Sequence, residues 1–176
     1  MLKPIRRVVT GHDARGRSII AGDSVSPNTI AISDSPPFGM TDLWVTFDAP
    51  ADNAAGGDPA ARKIALEPTT RGTIFRVVEF PPDAQIAGTF DREKAFEAIG
   101  ASEALDPDGS RHPGMHRTHS VDYAIVLSGE IWAVMDVGET LLRSGDCLVQ
   151  RGTNHAWSNR SNSACLVAFI LVGAKP

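Results

Sequence analysis

The sequence predicts an all-β fold built as one structural domain. Nine short runs are rich in β-branched and aromatic residues, and the 16 glycines and 12 prolines are spread between them along the chain. Only one segment carries the signals of a helix. A chain of 176 residues has the usual size of one domain, and it shows no internal repeat. Many short strands separated by turns are typical of a β-sandwich or barrel.

The predicted elements follow in chain order. The strands are Arg6–Thr10, Ser18–Ala21, Leu43–Phe47, Thr73–Phe80, Asp122–Ser128, Glu130–Asp136, Thr140–Arg143, Cys147–Gln150 and Cys165–Val172. Asp13–Gly16 predicts a hairpin turn between the first two strands. The helix is predicted over Glu93–Ile99, with Asp91 as its N-cap and Gly100 at its end. Ser102–Gly114 has no strand pattern and leads into a histidine-rich segment, so we expect it at the mouth of a site.

Composition excludes several classes of function. Lys and Arg number 17 against 21 for Asp and Glu, and no basic run offers a surface for nucleic acid. The longest apolar run, Ala164–Val172, is too short to cross a membrane as a helix. The basic segment Lys3–Arg7 is not followed by the apolar stretch of a secretory signal, and the two cysteines are expected to be free thiols. We therefore expect a cytoplasmic protein with neither a nucleic-acid nor a membrane partner.

Two segments near the C-terminus pair candidate metal ligands with glycines and strand-like runs. The first, His116–Gly129, contains His116, Thr118, His119 and Asp122; the second, Gly145–Asn159, contains Gly152 and His155. Together they resemble the two motifs of the cupin superfamily. Asp122 stands where that family has Glu, Thr118 stands where it has the second His, and Gln150 replaces a Pro. The resemblance covers roughly residues 110–172.

The resemblance implies a single cupin β-barrel, or jelly roll, with N-terminal strand extensions and one short helix. Residues 1–100 would supply strands and the helix that pack on the barrel, and residues 101–176 would carry the motifs, within one structural domain. N-terminal strands often pair with a partner subunit in this family, so the resemblance also implies a homodimer. In the family, His155 would come from a neighbouring strand end and face the ligands of the first motif.

Strand alternation places the candidate site residues relative to one another. His116, Thr118 and Asp122 share one parity, so that His116 and Asp122 would point into one cavity. His119 would then point away unless a bulge reverses the alternation. Imidazole and carboxylate ligands suit Fe, Mn, Ni or Zn as divalent ions. His116, His119, Asp122 and His155 are therefore the candidate metal ligands, with Asp122 also a candidate catalytic base; the alternative is a metal-free polar cavity.

Three aromatic residues are candidates for the wall of a substrate pocket. These are Trp132, Trp157 and Tyr123. For Trp132 a place in the core or at a dimer interface is favoured, whereas pocket and core are equally favoured for Trp157.

The preferred function is a metal-dependent enzyme, a dioxygenase or a lyase of decarboxylase type. Its substrate would be a small organic acid or an oxygenated aromatic or polyketide-like compound. Two alternatives stay open: a metal-free dehydratase or isomerase that uses His and Asp for acid–base catalysis, and a non-catalytic module that binds a small molecule.

Overall fold

Eleven β-strands and two short α-helices form within residues 1–54, 56–107 and 111–175, the parts of the chain that the structure, a computed structural model, describes. The strands are β1 (Arg6–His12), β2 (Ser18–Val25), β3 (Thr29–Asp34), β4 (Pro37–Thr46), β5 (Thr73–Phe80), β6 (Ser120–Ser128), β7 (Glu130–Met135), β8 (Glu139–Arg143), β9 (Cys147–Arg151), β10 (His155–Ser158) and β11 (Cys165–Gly173). The helices are α1 (Asp83–Ile86) and α2 (Arg92–Ala98), and a 3-10 turn spans Ser102–Ala104. The prediction of an all-β fold is confirmed.

All strand pairs are antiparallel. Six strands form one sheet in the order β3-β4-β5-β11-β6-β9, three form a second sheet in the order β10-β7-β8, and β1 and β2 form a hairpin. The main core joins inward-facing residues of the two larger sheets, such as Val126 and Val167 from one and Ile131 and Ala133 from the other. Burial of these apolar side chains between the sheets is the main stabilising force of the barrel.

The structure contains two strands and one α-helix that we did not predict from the sequence, besides the 3-10 turn. Strand β3 lies between prolines and contains the β-branched residues Thr29, Ile30 and Ile32, which we did not assign to a strand, whereas β10 has the mixed composition His-Ala-Trp-Ser. Helix α1 is a single turn after Pro81 and Pro82, which is too short to show helical periodicity. The prediction of one short helix is therefore corrected to two.

Helix α2 agrees closely with its prediction. The Asp91 side chain accepts a hydrogen bond from the backbone N–H of Lys94 at 3.1 Å, as an N-cap does. Phe96 and Ile99 are both buried against the sheet. The helix thereby brings the Phe96 ring to the cavity described below.

The outer face of the six-stranded sheet carries an exposed apolar row. Phe75 on β5 lies opposite Ile170 on β11, Ile170 lies opposite Tyr123 on β6, and Tyr123 lies opposite Val149 on β9. Phe75, Tyr123 and Val149 are each at least 40% exposed. The β1–β2 hairpin also exposes apolar side chains on strands that pair only with each other within the described chain.

The state of the cysteines and the lengths of the helices can be compared with what the sequence predicts. Cys165 is buried and Cys147 is exposed, and both are free thiols. No helix in the described ranges is long and apolar enough to cross a membrane. In the predicted mouth segment Ser102–Gly114, residues 108–110 lie outside the described residues.

Candidate active site

A cavity of about 540 Å³ opens between the inner face of the six-stranded sheet, β10 and the segment that contains α1 and α2. Its wall is a continuous series of neighbouring rings, with centroid separations between 4.3 and 6.5 Å. In order these rings are Phe90, Phe38, Phe80, Phe169, Trp157, His155, His116 and Phe96. Five of the seven phenylalanines of the chain therefore face this one space.

Two histidines form the polar part of that ring series. The backbones of His116 and His155 exchange two hydrogen bonds of 2.9 Å, and this isolated antiparallel bridge brings their rings to a centroid separation of 4.3 Å. His116 Nδ1 lies 2.8 Å from the Gly114 carbonyl oxygen, and His155 Nδ1 lies 2.9 Å from the Thr153 carbonyl oxygen. A carbonyl oxygen only accepts, so each Nδ1 carries the proton and each Nε2 of the neutral ring keeps a lone pair.

Both imidazoles are held in the neutral form. Burial, together with the neighbouring His116, lowers the pKa of His155 to about 3, against the opposing effect of its hydrogen bond to Thr153. Burial also lowers the pKa of His116, against the opposing effect of its hydrogen bond to Gly114. At neutral pH the pair therefore supplies two uncharged acceptors rather than a positive charge.

Asp122 is a buried carboxyl group on the same side of the cavity as Thr118. It is 4% exposed, and Ser120 Oγ donates a hydrogen bond to its Oδ1 at 2.5 Å. Burial raises the pKa of Asp122 to about 6, although Ser120, the charge of Arg76 and the nearby Thr118 hydroxyl each act to lower it. A carboxyl group with this pKa can exchange a proton near neutral pH, which is the property of a general acid or base.

Arg76 places a rigid cation in the cavity wall. Its side chain is 3% exposed, and its Nε lies 3.0 Å from Oδ1 of the fully buried Asp42. The guanidinium also donates to the carbonyl oxygens of Ala65, at 2.6 Å, and Leu66, at 3.2 Å. Because its charge is paired with that of Asp42, Arg76 acts on Asp122 mainly through its field.

At the rim of the cavity, His112 connects two segments. Gly114 N–H donates to His112 Nδ1 at 3.0 Å, which leaves the proton on Nε2, 3.6 Å from Asp83 Oδ2. Burial alone would raise the pKa of Asp83, but His112 and the hydrogen bond from Ser158 outweigh it and lower this pKa. The same Gly114 orients the ring of His116, so the rim and the histidine pair are linked through one residue.

The structure brings His116, Thr118, Asp122, His155 and Trp157 to the cavity but places three other candidates elsewhere. The side chain of His119 is 63% exposed and pairs with Glu67 at 3.6 Å, because β6 alternates without a bulge that would turn it inward. Tyr123 is 47% exposed on the outer sheet face, because its parity is opposite to that of Asp122. Trp132 packs against a separate small core, with Arg160 over its ring at 4.7 Å. Thus His119 as a metal ligand, and Tyr123 and Trp132 as pocket residues, are corrected.

The donor set does not complete a metal centre of the usual kind. His116 and His155 have the form that a ligand needs, with Nδ1 bonded to a carbonyl group and Nε2 bare. Metal sites with catalytic roles generally have at least three protein ligands. Among the described residues, no three His, Cys, Asp or Glu side chains lie close enough together to hold an ion.

Sequence reasoning missed Arg76, the phenylalanine wall and the supporting role of Gln150. Gln150 Nε2 donates to the Thr153 carbonyl oxygen at 2.9 Å, the same oxygen that holds His155 Nδ1. A lone arginine inside the apolar run of β5 is a signal that could have identified Arg76, because an unpaired charge is rarely buried. The phenylalanines come from β4, β5, β11 and both helical segments, so no local pattern connects them.

The chain is similar in sequence or structure to several fungal proteins. A cupin-domain-containing oxidoreductase from Neurospora crassa is 35% identical over 181 aligned positions, covering 99% of this chain and 78% of the relative. A phomopsin biosynthesis cluster protein from Diaporthe leptostromiformis is 55% identical over 64 residues, and the chain spans about a third of that relative, 34% of its length. Among solved structures, the Cnp3 cupin domain of Schizosaccharomyces pombe has a TM-score of 0.47 at 10% identity, covering 96% of this chain and 87% of that one. No family model matches the chain.

Proposed function

The chain belongs to the cupin family, and from this premise we propose that it is an oxidoreductase acting on a planar, oxygenated and largely apolar small molecule. The relative that supports this family assignment is itself named an oxidoreductase, and three other relatives are named as biosynthesis cluster proteins. We place the substrate among the intermediates of such a biosynthetic pathway, in the cytoplasm.

The single observation that supports the substrate class is the ring series around the cavity. Aromatic walls favour flat π-systems, because offset and edge-to-face contacts add to the gain from burying apolar area. A cavity of about 540 Å³ is within the range of small-molecule sites. Its polar groups are few beside the aromatic and aliphatic wall, and those on the inner side, which include the two histidines, Thr118 and Asp122, match a substrate whose rings carry a small number of oxygen atoms.

Asp122 is the group that would move a proton during the reaction. In the ionised form it accepts a proton from a hydroxyl group of the substrate, and Ser120 stabilises the carboxylate through its hydrogen bond. His116 and His155 remain neutral and accept hydrogen bonds from the substrate at their bare Nε2 atoms. Molecular oxygen would be the electron acceptor, and in a loss of two hydrogens the proton held by Asp122 would pass to the reduced oxygen, so that Asp122 is ionised again for the next turnover.

The experiment is a turnover screen with hydroxylated one-, two- and three-ring compounds, followed by mass spectrometry in air and without oxygen. In air we expect loss of two hydrogens, with O₂ reduced to hydrogen peroxide, or gain of oxygen from O₂ in at least one compound, and without oxygen we expect no product. Asp122→Asn should abolish this turnover, whereas the exposed Asp34→Asn should leave it unchanged. A protein that binds such compounds and converts none would be the non-catalytic binding module instead.

A metal-dependent oxidoreductase is the second candidate. The bare Nε2 atoms of His116 and His155 favour it, and the lack of a third ligand among the described residues weighs against it. Elemental analysis of protein purified without chelator or affinity metal tests it. About one Fe, Mn, Ni or Zn ion per chain that is lost in both His116→Ala and His155→Ala, but kept in His119→Ala, would establish this candidate.

We further propose that the active form is a homodimer. A two-stranded hairpin is marginally stable alone in water, and β1–β2 exposes Val8, Ile20 and Val25. A second copy of the chain would cover these side chains and the outer row around Tyr123. Light scattering should show a dimer for the natural protein and a monomer for Tyr123→Lys with an unchanged circular dichroism spectrum. A monomer at all concentrations of the natural protein would contradict the proposal.

A further inference from the structure

Thr118 and Asp122 are the two positions at which the first motif departs most from the family pattern, and both face the cavity. Thr118 is 3% exposed, and its Oγ1 has no hydrogen-bond partner within the described residues. Buried hydroxyl groups are nearly always bonded, so an orphaned one needs an explanation. The Thr118 hydroxyl is near enough to the Asp122 carboxyl to lower the pKa of that group, although no hydrogen bond of ordinary geometry joins them, so a bound group can complete the hydrogen bonding of Thr118.

We propose that Thr118 and Asp122 form a binding subsite for one hydroxyl group of the substrate. Thr118 donates its hydroxyl hydrogen to the oxygen of that group, and the Asp122 carboxylate accepts the hydrogen of that group. A hydroxyl group both accepts and donates, so it matches this pair, whereas an ether or a ketone oxygen accepts only. This inference rests on the proposed function, since it specifies a group on the substrate of that same cavity.

The surroundings of the pair support a neutral hydroxyl group over an anion. The nearby Arg76 already has a carboxylate partner in Asp42, and its side-chain donors reach the carbonyl groups of Ala65 and Leu66. Asp122 adds a further acidic group on the same wall. A substrate carboxylate placed here would therefore meet another carboxyl group without a free cation to balance it.

The pair also gives a physical reason for the incomplete metal donor set. Threonine is a poor metal ligand, and Asp122 accepts the Ser120 hydrogen bond at 2.5 Å rather than standing near the two histidines in a cluster of three. In this chain, two positions that supply metal ligands in the family pattern would bind the substrate directly.

The test compares two probes that differ by one hydroxyl group, 2-naphthol and naphthalene, by isothermal titration calorimetry. The affinity for naphthalene reports the contribution of the ring wall alone. The ratio of the affinity for 2-naphthol to that for naphthalene reports the contribution of the hydroxyl subsite. The natural protein should bind 2-naphthol at least about ten-fold more tightly. Thr118→Val, which keeps the shape of the side chain and removes its hydroxyl, should reduce this ratio by about ten-fold and leave the affinity for naphthalene unchanged.

Thr118→Ser is the matched control, because it keeps the hydroxyl group and should retain most of the ratio. A purely structural effect of Thr118→Val would instead weaken both probes together. If naphthalene binds and the ratio is the same in the natural protein and in Thr118→Val, the hydroxyl subsite is refuted while the aromatic cavity stands. If neither probe binds, both the subsite and the proposed substrate class are refuted.

Discussion

Replacement of Asp122 by Asn should change the stability of the protein in a strongly pH-dependent way. Asp122 has a pKa of about 6 in the folded chain against 3.8 for an unperturbed carboxyl group, because burial disfavours its ionised form. Between these values the folded state binds more protons than the unfolded state, so the contribution of Asp122 to stability is full below about pH 3.8 and falls as the pH rises through about 6. One pKa unit corresponds to about 1.4 kcal/mol, so the complete difference is about 3 kcal/mol.

Asparagine cannot ionise, so the Asp122→Asn protein does not lose this stability as the pH rises. The stability of the variant relative to the natural protein should rise by about 2.5 kcal/mol between about pH 4 and about pH 7.5. The constant effect of exchanging the carboxyl group for an amide cancels in that comparison. Urea unfolding followed by tryptophan fluorescence at several pH values measures it, provided that unfolding is two-state at each pH.

Asp34→Asn gives the control, because it exchanges the same carboxyl group for an amide at an exposed position. The titration of the histidine pair takes place in both proteins and therefore largely cancels. A relative stability of Asp122→Asn that stays constant within about 0.5 kcal/mol across this range would show that Asp122 ionises in the fold as it does in the unfolded chain.

Three further predictions follow from the same contacts. If Asp122 is the base, the turnover rate should rise with pH and level off above about 6, and a rate that falls over this range would exclude that role. Arg76→Met should destabilise the protein by about 3–5 kcal/mol in urea unfolding, because Asp42 would lose its main partner; a loss under about 1 kcal/mol would mean that the ion pair is not important. His119→Ala should change stability by less than about 0.5 kcal/mol and leave 2-naphthol binding unchanged, because its ring is exposed; loss of binding would place His119 in the site.

Much of the fold could be predicted from local patterns because its strands are short, β-branched and separated by glycine or proline. Strand β6 is the clearest case, since alternating burial of Asp122, Ala124 and Val126 follows directly from the two-residue period. Strand β3 was missed although Thr29, Ile30 and Ile32 favour an extended conformation. Strand β10 could not be predicted in this way, because its composition is mixed and its pairing with β7 is specified by long-range contacts.

Part of the candidate site could likewise be predicted from the sequence, and part of it could not. His116, Asp122 and His155 could be found from motif spacing, because each lies on or next to a strand with a defined parity. The phenylalanine wall could not, since its members come from separate elements and are brought together only by the closed barrel. The same alternation that predicted Asp122 in the cavity also predicted His119 on the outer face, and the alternative with a bulge is not what the structure has.

Burial has reversed the usual order of acidity inside the cavity. An aspartate ordinarily ionises below pH 4 and a histidine near pH 6.5, but here the pKa of Asp122 is about 6 and that of His155 is about 3. Both shifts have desolvation as their largest cause, and both favour the uncharged form. Between these two values the carboxyl group therefore holds its proton while the imidazole stays neutral, and above about pH 6 the carboxylate is the first of the two groups to carry charge. A proton taken from a bound hydroxyl group should consequently reside on Asp122, with His155 acting as an acceptor of hydrogen bonds.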